Sequence, residues 1–243
     1  MISTHSSIPE VVWQAKLIIM PPKLHRNALT TDDINWILNK ETELKKDYAI
    51  QKQANVKNVN VDNELWDFIL TKVDLELANK TGGNYFKTKT PFVIHTDTPH
   101  EKNIVPFKNV LIPLTTGGGN CYTVFLKQRH FGVGAHFLRS KKYKDFTPDK
   151  NIKITNYEHL EYYTGKDFDK DIYEQYLTHM PYDNLYGLSF ETAIEWKVGD
   201  IMIFDATQLH CSNNFTNQTE EKHALSLFTN LGKLDENTTK KIN

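Results

Sequence analysis

From Tyr85 onward the apolar residues of this chain come in short runs with strand character, and that change of period limits the fold more than any other feature of the sequence. Phe92-Val93-Ile94, Val110-Leu111-Ile112, Tyr122-Thr123-Val124-Phe125 and Ile201-Met202-Ile203-Phe204 are rich in β-branched and aromatic side chains. Trp196-Lys197-Val198-Gly199-Asp200 reads as a strand end and tight turn, and a last strand is expected around Lys222–Thr229. Gly117-Gly118-Gly119-Asn120 reads as a hairpin turn between its flanking runs. No helix start, Lys or Ser/Thr follows it at the spacing of a phosphate-binding loop.

The first third is helical instead. Thr30-Thr31-Asp32-Asp33 has the form of a capping box, followed by Ile34, Ile37 and Leu38 at helical spacing. Leu65, Ile69 and Val73 recur every four residues and predict a second helix over roughly 61–78, which Gly82-Gly83 then ends. Residues 139–190 interrupt the strands with a charged, tyrosine-rich insert holding one helix around Asp169–Thr178. Such an insert is either a lid over a site or an excursion covering the outside of a sheet. Helices first and short strands afterwards predict a mainly β (α+β) fold, a sandwich or barrel buttressed by N-terminal helices. The 243 residues suit one domain, with 1–80 as helical support and 85–230 as the β core.

Composition narrows the function. Lys plus Arg is 29 and Asp plus Glu is 30, a formal charge of −1, so no overall field draws the chain to nucleic acid or anionic lipid. The local exception is 139–153, where Arg139, Lys141, Lys142, Lys144, Lys150 and Lys153 face Asp145 and Asp149. Runs of this kind are usually solvated loops. Two cysteines, Cys121 and Cys211, are too few for a disulfide framework. Met1–Pro9 lacks the pattern of a signal peptide, and no apolar stretch approaches the roughly 18 residues of a membrane span. The expectation is a cytoplasmic, soluble protein.

The chemistry lies in His95-Thr96-Asp97, at the end of an apolar run, and in His210, 115 residues further on after another. Residues i and i+2 of a strand share a face, so His95 and Asp97 can converge on one ion while Thr96 points away. Two imidazoles and one carboxylate on one side of a metal form the facial triad of non-haem Fe(II) oxygenases, with positions left open. The alternative is two histidines that are hydrogen-bonded strand ends. His100 is a further candidate ligand, but Pro99 separates it from the strand. By alternation Cys211 faces away from the metal as a small buried hydrophobe. Asn213 and Asn214 fit a turn, and Trp196 fits the core.

Lys222 follows His210 by 12 positions. Alternation puts Lys222, Ala224, Ser226 and Phe228 on one face of the last strand, and Leu225 and Leu227 on the other. An inward ammonium needs a partner, because an unpaired buried charge is costly. The far carboxylate of a dicarboxylic acid would be that partner, with Ser226 assisting. Otherwise Lys222 lies at a frayed strand start and reaches solvent.

His95-Thr96-Asp97, the Val110–Leu114 strand with Pro113, Gly199–Phe204, Leu209–Phe215 and Lys222–Ser226 together resemble the Fe(II)/2-oxoglutarate-dependent oxygenase superfamily. Its prolyl-hydroxylase-like and phytanoyl-CoA-hydroxylase-like branches, phage-encoded members included, are the nearest in pattern. The resemblance covers roughly residues 85–230. It implies a double-stranded β-helix (jelly roll) with Fe(II) on His95, Asp97 and His210, and 2-oxoglutarate held by Lys222 and Ser226. With O₂, the co-substrate would give succinate and CO₂ as a substrate C–H is oxidised. The retained carboxylate of Asp97 favours hydroxylation over halogenation. Most members use Arg where this chain has Lys222, and a lysine lacks the bidentate fork of a guanidinium. The substrate would be a small molecule or a protein side chain. Two other readings stay open: a nucleobase-oxidising member of the same superfamily, supported by the 139–153 run alone, and a non-enzymatic cupin-like binding module.

Overall fold

Thr30 opens α1 (Thr31–Glu43) through a reciprocal cap: its hydroxyl accepts from the Asp33 N–H, and the Asp33 carboxylate accepts from the Thr30 N–H. The second helix, α2 (Asn63–Leu70), is shorter than the spacing predicts. Its end is closed by Thr71, whose hydroxyl donates to the Phe68 carbonyl, and by Lys72, whose N–H donates to that of Ile69. Val73 continues the apolar stripe from the turn beyond. The computed structural model describes residues 20–44, 49–51, 54–59, 63–75, 79–98, 104–116, 120–130, 160–162, 164–215 and 221–233. His100 and the basic run 139–153 lie outside the described residues.

The described strands are β1 (Lys23–His25), β2 (Ala49–Gln51), β3 (Ala54–Val59), β4 (Asn79–Thr88), β5 (Ile104–Thr116), β6 (Tyr122–His130), β7 (Leu160–Glu161), β8 (Phe190–Glu195), β9 (Ile201–Asp205), β10 (Gln208–Ser212) and β11 (Lys222–Lys233). They form two antiparallel sheets. The larger has the order β1-β9-β5-β11-β4-β3-β2; the smaller runs β10-β6-β7, with β8 also paired to β6. The protein is mainly β, as the strand-like runs predict. Ile34 and Ile37 of α1 and Leu65, Trp66 and Ile69 of α2 pack with Tyr85, Ile112, Leu225 and Leu227, so the helices cover one face of the larger sheet. Its other face sends Leu111, Met202, Phe204 and Ala224 against Phe125 and Ile194 of the smaller sheet. The two-residue alternation of β11 is therefore as expected.

Three expectations are corrected. Gly82-Gly83 does not break the chain but lies within β4, where a Cβ on Gly83 would collide with the Ser226 carbonyl and Leu227 of β11. Only glycine allows that strand approach. Phe92-Val93-Ile94 is not a strand: beside β10 the chain makes one bridge, with His95 and His210 exchanging backbone hydrogen bonds of 2.9 and 3.0 Å. The link from β5 to β6 is not a hairpin, because those strands belong to different sheets. The runs flanking the glycines are apolar on both faces, which suits a connection between layers.

Of the 139–190 insert, the described part carries α3 (Lys170–Ile172), capped by the Asp169 carboxylate, which continues as one π turn over Tyr173–Leu177. Phe168, Leu177, Met180, Leu185 and Leu188 pack on Val124, Leu126 and Leu209. By alternation those are the side chains of β6 and β10 that face away from the larger sheet, so residues 164–190 cover the outside of the smaller one.

Candidate metal centre

His95, Asp97 and His210 come together. Each offers one ligand atom, and these atoms all lie within 4.8 Å of one another. Asp97 Oδ1 is 3.9 Å from His95 Nε2, and its Oδ2 is 3.4 Å from His210 Nε2. Ligands about 2.1 Å from one ion and at right angles to each other lie roughly 3 Å apart. The three groups are thus arranged for an ion with only small side-chain movement. Backbone pairing explains the meeting: the His95–His210 bridge fixes the two histidines, and the Asp97 N–H donates to the Ala206 carbonyl at 3.1 Å.

Both imidazoles are oriented by their own backbone two residues earlier. His95 Nδ1 lies 2.7 Å from the Val93 carbonyl, and His210 Nδ1 lies 2.9 Å from that of Gln208. A carbonyl can only accept, so Nδ1 carries the proton and Nε2 is the ligand nitrogen in the neutral ring. This is the outer-shell arrangement that holds metal-bound histidines. Burial pushes the Asp97 carboxyl up, but the neighbouring His210 and His95 and the Asn109 amide outweigh it and hold the group below its ordinary range. The carboxylate is therefore ionised and ready to bind a cation. The donor set fits a divalent ion that accepts imidazole and carboxylate.

Asn109 is a residue that sequence reasoning missed. It is buried on β5, and its Nδ2 donates to Asp97 Oδ2 at 2.6 Å. The Asn109→Ala variant should bind the metal about 10- to 100-fold more weakly, since supporting hydrogen bonds to ligands typically contribute that much. A Zn(II) or Ni(II) titration of the purified protein measures it, and an unchanged affinity would remove Asn109 from the site.

A buried charge network holds the approach to His210. Asp205, at the end of β9, pairs with Lys108 and Arg129. Arg129 Nη1 also donates to the carbonyls of Leu126, Lys127 and Gln128, and Gln208 donates to Glu191. These contacts fix the Asp205–Gln208 turn that leads into β10. Their role is positional.

The triad lines a cavity of about 200 Å³ between the sheets, together with Phe92, Thr123, Trp196, Ser212, Lys222 and Ser226. Lys222 is only 1% exposed, so the frayed-strand reading does not apply to it. Its Nζ donates to Ser212 Oγ at 2.8 Å and stands 4.1 Å from the Trp196 ring centroid and 4.6 Å from that of Phe215. No carboxylate among the described residues forms an ion pair with it. Burial pulls its pKa down to about 8. Ser226 lines the same cavity, but the hydroxyl that meets the ammonium belongs to Ser212. Alternation from His210 to His210+2 could have flagged Ser212, since the two share a face of β10. Trp196 is core, as expected, and also roofs Lys222; its Nε1 donates to Thr123 Oγ1 at 2.8 Å. Cys211 packs with Ile94 and Val124 on the outer side, and burial raises its thiol pKa. The Asn213 side chain ties Asn120 to Tyr122.

No family model matches the sequence, and no curated protein matches it. Solved structures similar to this one include a 2OG-Fe(II) oxygenase family oxidoreductase from Burkholderia pseudomallei, at 9% identity and a TM-score of 0.48, covering 92% of this chain and 90% of that one. The non-haem α-ketoglutarate-dependent carbocyclase SnoK from nogalamycin biosynthesis follows, at 10% identity and a TM-score of 0.46, covering 93% and 86%. A Pseudomonas putida prolyl-4-hydroxylase has 8% identity and a TM-score of 0.43, covering 86% and 91%. At these scores the chemistry has to be read from this chain's own side chains. Among the described residues no helix is long and apolar enough to cross a membrane.

Proposed function

We propose that this protein is an Fe(II)/2-oxoglutarate-dependent oxygenase built on a double-stranded β-helix, acting as a hydroxylase on a small molecule or a protein side chain. The observation that carries the reading is one cavity holding two different recognition elements. At one place stand two imidazoles and a carboxylate in reach of a single ion; at another a buried ammonium has a hydroxyl and aromatic rings around it but no counter-charge among the described residues. A metal chelator with a distant carboxylate satisfies both elements at once, and 2-oxoglutarate has that form. Bound Fe(II) and 2-oxoglutarate would supply O₂ activation, with succinate and CO₂ as co-products.

This chain's own residues would do the rest. His95, Asp97 and His210 would hold the ion. Lys222 and Ser212 receive the distal carboxylate, and Trp196, Phe92 and Phe215 keep water away from that ion pair, which strengthens it. The aromatic walls around His210, with Phe204 at 4.8 Å and Phe125 at 5.9 Å between ring centroids, dry the inner side of the metal site. Asp97 supports oxidation with oxygen transfer, since no small residue stands in the carboxylate's place.

The test is succinate release from 2-oxoglutarate by the full-length protein in air with added Fe(II), with and without a chelator. Succinate formation that stops on chelation is the expected outcome. Equal succinate with and without the metal would refute the proposal.

A further inference from the structure

Burial falls along the inner face of β11. Lys222 is fully enclosed, whereas Ser226 and Phe228 are half-buried. The open end of the cavity therefore lies on the part of the larger sheet formed by β3, β4 and β11. There Val56, Asn84, Phe86, Ser226 and Phe228 line it. Asn84 and Ser226 are direct cross-strand partners in the regular part of the β4–β11 register, from Lys222–Thr88 to Leu227–Gly83, so their side chains stand together on one face. Neither side chain has a hydrogen-bond partner among the described residues. Ser226 is four residues from Lys222, roughly 13 Å along the strand, while the Lys222 ammonium is held on Ser212. The hydroxyl beside the ammonium is thus that of Ser212, which leaves Ser226 for a different contact.

The cavity's charge points the same way. Of the described residues lining it, Asp97 and Lys222 are the only ones besides the two triad histidines and Cys211 that titrate. One carboxylate, one ammonium and a divalent ion leave an excess of two positive charges, and a dicarboxylate dianion cancels it. Among the described residues no charge then remains for a further ionic group, and a desolvated unpaired charge is strongly disfavoured.

We infer that Asn84 and Ser226 form the specificity contact for the primary substrate, and that the part of the substrate entering the cavity is uncharged and carries an amide or hydroxyl group. The Asn84 amide offers a donor and an acceptor, Ser226 adds a hydroxyl, and Val56, Phe86 and Phe228 supply apolar walls. This deepens the oxygenase reading and rests on it.

The experiment uses full-length protein loaded with Ni(II) and 2-oxoglutarate, which holds the co-substrate without turnover. Three probes of like size are compared by saturation-transfer NMR: N-acetylglycinamide (neutral), N-acetylglycine (anion) and glycinamide (cation). The neutral probe is expected to bind at least tenfold better than either ion. Asn84→Ala and Ser226→Ala should each weaken it several-fold while 2-oxoglutarate affinity stays within twofold. Asn84→Asp should shift the preference to glycinamide. Equal or better binding of a charged probe by the unaltered protein would overturn the inference. So would loss of 2-oxoglutarate affinity in Ser226→Ala, which would return Ser226 to the co-substrate. If the unaltered protein fails to bind 2-oxoglutarate at all, it is the oxygenase reading that fails.

Discussion

Replacing Lys222 with Met should sharply weaken co-substrate binding and make the protein more stable. The methylene chain is kept, so the contacts with Trp196 and Phe215 persist while the ammonium goes. Removing one member of a buried ion pair typically costs about 3–5 kcal/mol of binding, so 2-oxoglutarate affinity should fall on the order of 100- to 1000-fold or more. In the protein without ligand the same charge is buried beside a serine hydroxyl and aromatic rings, with no carboxylate paired to it among the described residues. Relieving it should add about 1–3 kcal/mol of stability, or roughly 2–10 °C in Tm for a chain of this size. Calorimetric titration with Ni(II) present and a thermal melt without ligand check the two halves. A variant that loses stability and keeps affinity would place Lys222 in the scaffold and not in the site.

The same lysine fixes a pH dependence. Its folded pKa, about 8, lies below the ordinary 10.5. Between those values the unfolded chain binds the extra proton, so this group's contribution to stability improves as pH rises through that window. Co-substrate binding runs the other way. A dicarboxylate needs the ammonium, and above about pH 8 its binding must be accompanied by uptake of a proton. Affinity for 2-oxoglutarate should therefore fall about tenfold per pH unit above 8, and this slope should vanish in Lys222→Met. Titrations at successive pH values measure it.

Asp97→Ala has the second large effect. The carboxylate is the one anionic ligand in the triad, it accepts from Asn109, and it is held ionised at neutral pH. Its loss leaves two neutral imidazoles to hold a divalent cation. Metal affinity should drop on the order of 1000-fold, the scale of losing a buried charge partner, and succinate formation should disappear with it. Near-native metal content in this variant would show that the ion is held elsewhere.

Much of this site was legible in the sequence because strands alternate with a period of two. The rule pairs His95 with Asp97 and sorts the side chains of β11 into Lys222, Ala224 and Ser226 on one face and Leu225 and Leu227 on the other. It does not reveal what faces those residues from another strand. Asn109 and Ser212 touch Asp97 and Lys222 across the fold, and only register and the stacking of sheets bring them there. The helix cap at Thr30 is local chemistry and was readable as such. Gly82-Gly83 misled for the opposite reason: glycine marks a chain break or a close approach equally well, and the crowding by Ser226 and Leu227 that decides between them is not local. The β5–β6 link misled in the same way, since a glycine run specifies a reversal of the chain without specifying which sheet receives it.

The most direct measurement is the visible spectrum of the full-length protein under anaerobic conditions, with Fe(II) added first and 2-oxoglutarate second. A weak visible charge-transfer band is expected that appears only with the second addition and is absent in His210→Ala. A protein that binds Fe(II) yet gives no band with 2-oxoglutarate, or gives the same band without His210, would contradict it.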